Sequence, residues 1–147
     1  QAKALSLGML EYDLSFDNYT PERLALAAEL AQAVQQRQLV LHYQPKIDIA
    51  SGETVGFESL VRWNHPRRGL LYPGSFIDLV EMSEVVHPFT ESIINLALAD
   101  KQRLHQMGFH QPVSINLSAR NLADGRCLAE LKACLQRYQL PVSEVDL

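Results

Sequence analysis

The amino-acid sequence predicts an α/β fold with a mainly parallel sheet that begins with one antiparallel pair of strands. Segments 39–44, 54–63 and 113–117 have the length and the alternation of strands, and amphipathic helical segments separate or follow the later ones. The turn at residues 48–53 is too short for a crossover, so the first two strands must be antiparallel. Strands separated by helices are instead typical of a parallel sheet covered by helices.

The first predicted helix begins after Thr20. A hydroxyl residue suits the cap position, Pro21 suits the first helical position because it needs no N–H partner there, and Glu22 faces the positive end of the helix dipole. Residues 1–20 have no sustained apolar period and are expected to form a tail or linker. The helix should end near residue 36 and bury one apolar stripe. The predicted stripe consists of Leu24, Ala27, Ala28, Ala31 and Val34.

The first strand is expected to end before Pro45, which has no N–H for a ladder hydrogen bond. After a turn that contains Ser51 and Gly52, residues 54–63 alternate strictly between two faces. Residues 64–69 are expected to form a loop, because polar residues there lie between Pro and Gly. One face of the second strand carries Val55, Phe57, Ser59, Val61 and Trp63, and the other carries Gly56, Glu58, Leu60 and Arg62.

Two helices are expected between residues 76 and 107, a short one with Phe76, Ile77, Leu79 and Val80, and a longer one that starts at Pro88 and is stopped by Gly108. The strand at residues 113–117 comes next. A further amphipathic helix that ends before Pro141 should bury Leu128, Leu131, Leu135 and Tyr138. Residues 145–147 are interpreted as the opening of another strand.

The composition is that of an ordinary globular domain, with 147 residues, 47% hydrophobic and 20% charged. A formal net charge of −4 disfavours binding to DNA or RNA. No apolar run is long enough to cross a bilayer, and no secretion signal is recognisable, so a cytoplasmic location without membrane contact is expected for this segment. The chain opens with Gln1, which suggests a longer parent, and that parent could be anchored to a membrane elsewhere.

The two cysteines are expected to be reduced core thiols. Cys127 and Cys134 are seven residues apart in a predicted helix, which separates their Cα atoms by about 10 Å, beyond disulfide reach. The histidines show no spacing of a structural metal site and are interpreted as surface or core imidazoles. They are His42, His65, His87, His105 and His110.

Polar residues at the carboxyl ends of two predicted strands are the candidates for chemistry, because ligands of α/β folds bind there. Glu58 and Arg62 share a face but lie about 13 Å apart along the strand, too far for a simple ion pair. Their face is either an ordinary solvated face or a site. Asn116 either belongs to that site or caps the following helix.

Several segments together resemble, in order, the EAL domain of bacterial cyclic di-GMP phosphodiesterases. The longest are residues 41–48, Leu-His-Tyr-Gln-Pro-Lys-Ile-Asp, residues 56–63, Gly-Phe-Glu-Ser-Leu-Val-Arg-Trp, and residues 114–118, Ser-Ile-Asn-Leu-Ser. His65-Pro66, Gly69, Leu71-Tyr72-Pro73 and Phe76-Ile77 match between them. The resemblance runs from about Leu24 to Leu147. Ser59 replaces the usual Ala of the signature tripeptide, a mild change if it points away from Glu58.

The resemblance implies a partial TIM-like (β/α)8 barrel with an antiparallel first strand, in which residues 21–147 form the amino-terminal half of an EAL domain. It implies hydrolysis of cyclic di-GMP to linear pGpG with a pair of divalent cations, Mg2+ or Mn2+. Glu58 and Asn116 match the first two metal ligands and are the catalytic candidates. Arg62 matches the residue that holds the substrate phosphate, and Gln44 and Leu60 match positions that contact the nucleotide.

The later strands and the remaining ligands of the family, which are a Glu, an Asp pair, a Lys and a further Glu, are not among the 147 residues. The isolated chain is therefore expected to be inactive. Ala2-Lys3, Gly8 and Tyr12 resemble the end of a GGDEF domain, which implies an upstream GGDEF-like or sensory domain and a linker at residues 1–20.

The partners implied are cyclic di-GMP and a second copy of the EAL domain in a homodimer. Two other functions stay open. The first is a non-catalytic EAL module that binds cyclic di-GMP or a protein partner as a regulator, with Ser59 as its support. The second is a dimerisation element that uses an uncovered sheet edge.

Overall fold

A computed structural model describes residues 20–122 and 125–147 of the chain, apart from the side chains of Ala119 and Leu122. The predicted tail or linker, and with it the GGDEF-like segment, lies outside the described residues except for Thr20. No helix in the described part of the chain has the length and apolar character needed to span a membrane.

The helices and strands include those predicted, in the predicted order, together with one short strand and one short helix that were not. They are α1 (Pro21–Gln35), β1 (Leu39–Ile47), β2 (Thr54–His65), β3 (Gly69–Leu71), α2 (Ile77–Glu81), α3 (Val86–Gln106), β4 (Val113–Ile115), α4 (Ala119–Leu122), α5 (Arg126–Tyr138) and β5 (Val145–Asp146). Short 3-10 turns precede α2 and β5, at Pro73–Ser75 and Val142–Glu144.

The strands form one mixed sheet in the order β1-β2-β4-β5, and β3 pairs with the far end of β2. β1 is antiparallel to β2, whereas β2, β4 and β5 run parallel to one another. This arrangement confirms the predicted α/β fold with an antiparallel first strand. The sheet is a partial barrel that does not close within the described residues.

The prediction that β1 ends before Pro45 is wrong, because the strand continues to Ile47 and pairs Pro45 with Phe57. Within the described residues β1 is an edge strand with a neighbour on one side, so a residue without an N–H is tolerated there. The predicted turn follows. Its Asp48 carboxylate accepts hydrogen bonds from the backbone N–H groups of Ala50 and Ser51, at 2.7 and 3.1 Å.

The predicted loop at residues 64–69 is also partly wrong. β2 extends to His65 and turns back at Gly69 into the short strand β3, which the sequence did not indicate. The His65 side chain is buried, and its Nδ1 accepts the backbone N–H groups of Arg67 and Arg68 at 3.1 and 3.2 Å. His65 is thus a buried polar residue that accepts hydrogen bonds from the loop backbone. In the sequence, such a residue looks the same as a polar loop residue that faces solvent.

The predicted start of α1 is confirmed, and its buried face is corrected. Thr20 Oγ1 accepts the backbone N–H of Arg23 at 3.3 Å. The helix is rich in alanine on several faces, so the apolar spacing did not determine which face packs. Leu24 of the predicted stripe is 57% exposed, and of that stripe only Ala27 and Val34 pack against the core. The buried residues are Leu26, Leu30 and Ala33.

The aromatic centre of this core lies between the sheet and helices α1 to α3. Phe76 contacts Trp63 edge to face, with ring centroids 5.7 Å apart, and its centroid lies 6.3 Å from that of Phe89. Trp63 is fully buried and its indole N–H donates to the Gln38 side chain at 3.0 Å. Trp63 therefore connects the end of β2 to all three helices through one cluster of buried residues.

Helix α3 separates two cores. Phe89, Ile93 and Ala97 face the first, and Ile94 and Leu98 pack with α5 in the second. The helix begins two residues before the predicted Pro88, which lies in the first turn where its missing N–H is harmless. Gly108 follows its end with φ +89°, as expected of a residue that stops a helix.

The face of α5 also differs from the prediction. Leu128 is 51% exposed, and Leu131 and Leu135 are buried together with Cys127 and Cys134. Both cysteines are buried in the core and are not joined in a disulfide, as predicted. Burial and a hydrogen bond to the Glu130 carboxylate raise the pKa of Cys134 to about 11, so this thiol is protonated near neutral pH.

Glu29 of α1 connects this helix to the loop after β2. His65 Nε2 donates to Glu29 Oε2 at 2.6 Å, and Arg67 Nη2 lies 2.5 Å from Glu29 Oε1. Burial alone would raise the pKa of Glu29, but the hydrogen bond from His65 and the charge of Arg67 outweigh it and lower the pKa below its ordinary value.

We predict that Glu29→Ala destabilises the protein near neutral pH and that this destabilisation shrinks in acid. Since the pKa of Glu29 is lower in the folded state, its ionised form stabilises that state above the unfolded pKa, and the effect is lost as the pH falls through the folded pKa. Urea denaturation of both proteins at about pH 7 and about pH 3 measures the difference.

The matched control for this prediction is Glu53→Ala, which removes an exposed carboxylate from the turn between β1 and β2. Its effect should be small at both pH values. A Glu29→Ala difference that stays constant between neutral and acid pH would contradict the role given to the ionised carboxylate.

Candidate functional site

The face of the sheet opposite the helices carries a row of four polar residues. Gln44, Glu58, Ser114 and Asp146 are register partners across β1, β2, β4 and β5. Side chains of register partners point to the same face. Their neighbours Ser59 and Trp63 point the other way and are buried. The strict alternation read from β2 is therefore confirmed, with the helices on the Trp63 face.

Glu58 and Asn116 are in direct contact on this face. The Asn116 Nδ2 donates to Glu58 Oε1 at 2.8 Å, although 58 residues separate them in the chain. Glu58 is half-buried on β2, and Asn116 is exposed just after β4. The two residues therefore come from neighbouring parallel strands. At the start of the following helix, Ser118 accepts two hydrogen bonds from Asn121, at its carbonyl from the backbone N–H and at its Oγ from Nδ2, both at 3.0 Å.

The chemistry of this pair suits a hard cation. A carboxylate and a side-chain amide both offer oxygen ligands of the kind that Mg2+ and Mn2+ prefer. Rotation of the Asn116 amide about its last side-chain bond exchanges Nδ2 for Oδ1. The two side chains can then present two oxygens to one ion at the place where they now share a hydrogen bond.

Arg62 lies further along the same face of β2 and does not pair with Glu58 in the described structure. Its guanidinium Cζ is 4.7 Å from the centroid of the Tyr72 ring, and Nη1 donates to the Val61 carbonyl at 2.8 Å. Its Nε is buried and has no hydrogen-bond partner among the described residues. A guanidinium stacked on one side still offers planar N–H donors that suit an anionic oxygen.

The two remaining predicted site residues lie beside Glu58. Gln44 is its partner on β1 and is exposed, and Leu60 is half-buried between Glu58 and Arg62 on the same face. The structure thus brings Gln44, Glu58, Leu60 and Asn116 together and places Arg62 next to Tyr72 at the end of β2.

Ser59 of the tripeptide 58–60 points away from this site. It is 3% exposed, and its Oγ donates to the backbone carbonyl of Ser114 at 2.8 Å. The hydroxyl therefore connects β2 to β4 from the helix side of the sheet. An alanine there would lose one hydrogen bond and leave the face of Glu58 unchanged.

Sequence reasoning missed an ion pair in the same polar row. Lys46 Nζ contacts Ser114 Oγ at 2.6 Å and Asp146 Oδ2 at 3.2 Å. The one sequence signal was that Lys46 shares the strand face of Gln44. Its partners are 68 and 100 residues away, so only the register of the whole sheet identifies them.

Gly56 makes room for the Lys46 side chain. It is the register partner of Lys46. A Cβ on Gly56 would lie 2.8 Å from Lys46 Cε and 3.1 Å from the Pro112 carbonyl oxygen. The absence of a side chain therefore allows Lys46 to cross β2 and also allows β4 to approach closely.

Comparison with known proteins gives one consistent result. The EAL domain family matches residues 27–147. The bifunctional diguanylate cyclase/cyclic di-GMP phosphodiesterase MucR of Pseudomonas aeruginosa is 34% identical over 142 residues, which cover 95% of this chain and 21% of the relative. The cyclic di-GMP phosphodiesterase PdeR of Escherichia coli is 36% identical over 126 residues, 86% of this chain and 19% of the relative.

Solved structures agree with these relatives. The structure titled PaMucR phosphodiesterase, c-di-GMP complex, superposes with a TM-score of 0.75 at 36% identity and covers 82% of this chain and 49% of that one. The 147 residues span about a fifth of the curated relatives and about half of that solved chain.

We predict that Gly56→Ala destabilises the fold by about 1–3 kcal/mol, because the added methyl group displaces Lys46 and presses on the backbone before β4. Chemical denaturation measures the loss. The matched control is Gly74→Ala, where nothing lies within 4 Å of the added Cβ, and a change within about 0.5 kcal/mol is expected. Equal stability of the two variants would contradict the close approach at Gly56.

Proposed function

Because this chain belongs to the EAL domain family, we propose that it forms part of the active site of a phosphodiesterase that hydrolyses cyclic di-GMP to linear pGpG. The observation that carries the proposal is the contact of Glu58, in the part of β2 that pairs with β4, with Asn116, which immediately follows β4. Relatives at 34–36% identity are named as cyclic di-GMP phosphodiesterases, and a similar solved structure is titled as a complex with that nucleotide.

Glu58 and Asn116 are the residues proposed to hold a divalent cation, Mg2+ or Mn2+, since both offer hard oxygen ligands. When bound, such ions generate a hydroxide nucleophile and neutralise charge on the leaving oxygen. The role of the protein is to hold the two ligands in place. The backbone holds β4 in register beside Glu58, since the Phe57 N–H donates to the Pro112 carbonyl at 2.9 Å, and the Ser59 hydroxyl adds one further bond from the helix side.

Arg62 is proposed to bind the phosphate of the nucleotide. Its stacking on Tyr72 and its bond to the Val61 carbonyl restrict the guanidinium, whose terminal N–H groups are the proposed donors to a phosphate oxygen. Gln44 and Leu60 are proposed to contact the nucleotide, with an amide for its polar edge and an apolar side chain for a base or ribose. These contacts orient the phosphodiester towards Glu58.

The described residues contribute two ligands to the proposed cation site. Two protein ligands hold a hydrated cation weakly. We therefore expect the 147 residues alone to release no pGpG, and we propose that further carboxylates and a lysine elsewhere in the protein complete the site. Lys46 and Asp146 are not counted among these groups, because the Lys46 ammonium and the Asp146 carboxylate already neutralise each other in an ion pair.

The domain organisation is also a proposal. We assign residues 21–147 to the EAL domain and residues 1–20 to a linker that follows a GGDEF-like domain. MucR, which combines diguanylate cyclase and phosphodiesterase in its name, aligns with 95% of this chain. A homodimer through the EAL domain is part of the same proposal.

A regulator that binds cyclic di-GMP without hydrolysis is the alternative. Its support in the chain was Ser59, and this side chain lies on the helix side of the sheet, away from Glu58 and Asn116. The substitution therefore gives no reason to expect loss of catalysis. The two functions are separated by turnover in the following experiment.

We predict that Glu58→Ala, made in the longer protein with Mg2+ or Mn2+ supplied, reduces pGpG release by more than about 100-fold. Loss of a residue that only supports a metal ligand costs up to about 100-fold, and loss of a ligand itself should cost more. Release of pGpG is measured by chromatography and nucleotide binding by calorimetry. The matched control is Ser59→Ala, the adjacent residue on the opposite face, which should retain turnover.

Retained turnover in Glu58→Ala would contradict the assignment of Glu58 as a ligand. Tight binding of cyclic di-GMP without turnover in the unsubstituted protein would favour the regulator. Absence of both binding and turnover would favour a protein-interaction module, including the dimerisation element considered above.

A further inference from the structure

A second cluster of metal-ligating side chains lies at the opposite end of the sheet from Asn116. His105 is in the last turn of α3, His110 lies in the connection to β4, and Glu144 immediately precedes β5. Three segments therefore meet at the amino-terminal ends of two parallel strands. Glu144 is 34 residues beyond His110, so no short spacing in the sequence reveals the group.

The ligand atoms of these three residues converge on one point. His105 Nδ1 lies 2.9 Å from each Glu144 carboxylate oxygen, and His110 Nδ1 lies 3.3 Å from Glu144 Oε1 and 3.3 Å from His105 Nδ1. Two imidazole nitrogens and a carboxylate at these distances repel one another unless a proton or a cation lies between them. Either ring hydrogens or a cation must therefore lie between these atoms.

The distances fit a zinc ion closely. Zn2+ binds His nitrogen at about 2.0–2.1 Å and carboxylate oxygen at about 2.0–2.2 Å with tetrahedral geometry, which places ligand atoms about 3.4 Å apart. The observed separations of 2.9–3.3 Å need to expand by only a few tenths of an ångström. A set of two imidazoles and one carboxylate is a known donor set for this ion.

Lys101 prepares the carboxylate for this role. Its side chain is fully buried, and Nζ contacts Glu144 Oε2 at 2.8 Å and the Phe109 carbonyl at 2.7 Å. Burial would raise the pKa of Glu144, but the hydrogen bonds from Lys101 and His105 outweigh it and lower the pKa, so the carboxylate is ionised as a metal ligand must be. Lys101 also holds one oxygen, which leaves Oε1 towards the imidazoles.

Solvent reaches the cluster from the histidine side. The His110 side chain is 62% exposed and that of His105 is 38% exposed, whereas Glu144 is 8% exposed. An ion can therefore enter without local unfolding, and a water molecule can occupy the fourth position. We propose that His105, His110 and Glu144 form a Zn2+ site that clamps the end of α3, the α3–β4 connection and the start of β5.

This site is independent of the proposed phosphodiesterase activity, and its test uses Zn2+ itself as the probe. Titration calorimetry is done on the protein in a Glu58→Ala background, which removes the other proposed cation site. We expect one Zn2+ per chain and a higher melting temperature with the ion. His110→Ala should weaken Zn2+ binding by about tenfold or more. The matched control is His42→Ala, which replaces an exposed histidine on β1 and should leave Zn2+ binding unchanged.

His110 is mostly exposed, so its replacement is expected to leave the fold intact, which circular dichroism verifies. X-ray absorption of the Zn2+ complex adds a second measurement, because this site has nitrogen and oxygen ligands only. The proposal is overturned if no binding occurs up to about 100 μM Zn2+, if His110→Ala binds as tightly as His42→Ala, or if the absorption spectrum shows sulfur from Cys127 or Cys134.

Discussion

The parallel register between β2 and β4 is the constraint on which the candidate site depends. The Phe57 N–H donates to the Pro112 carbonyl at 2.9 Å, and Ser59 Oγ donates to the Ser114 carbonyl at 2.8 Å. With these bonds Glu58 is opposite Ser114, and Asn116 reaches the Glu58 carboxylate. A shift by one residue would turn Asn116 towards the helices. Gly56 contributes because a side chain there would keep β4 from this position.

Helix α3 transmits this register to both ends of the sheet. Its two faces are buried in different cores, against α1, α2 and the sheet on one side and against α5 on the other. The helix therefore cannot rotate without disturbing both. Tyr43 on β1 donates to Asp100 on α3 at 2.9 Å, and Lys101 in the next position reaches Glu144 before β5. The same helix thus positions the first strand, the last strand and the His105 cluster.

The two faces of the sheet have opposite chemistry for a physical reason. The helix face is mostly apolar, and the polar groups of Ser59 and Trp63 on it are hydrogen-bonded within the protein. The other face carries carboxylate, amide, lysine and guanidinium groups that stay half-buried or exposed. Asn116, which contacts Glu58, follows the carboxyl end of β4, where α/β folds bind ligands, and the His105 cluster lies at the amino-terminal ends of β4 and β5, where stability is the usual role.

The sequence by itself determined the order of helices and strands, the antiparallel first pair, the alternation of β2 and the family motifs, because these depend on local spacing and on single residues such as Thr20 and Gly108. It predicted Glu58 and Asn116 as candidates but left their contact open. Tertiary structure decided which face of α1 is buried, that β1 continues through Pro45 and which groups form hydrogen bonds with the buried His65 side chain. It also decided the pairing of Lys46 with Asp146 and of His105 with Glu144, since contacts between residues 39 to 100 positions apart depend on strand register and helix packing, which no local pattern encodes.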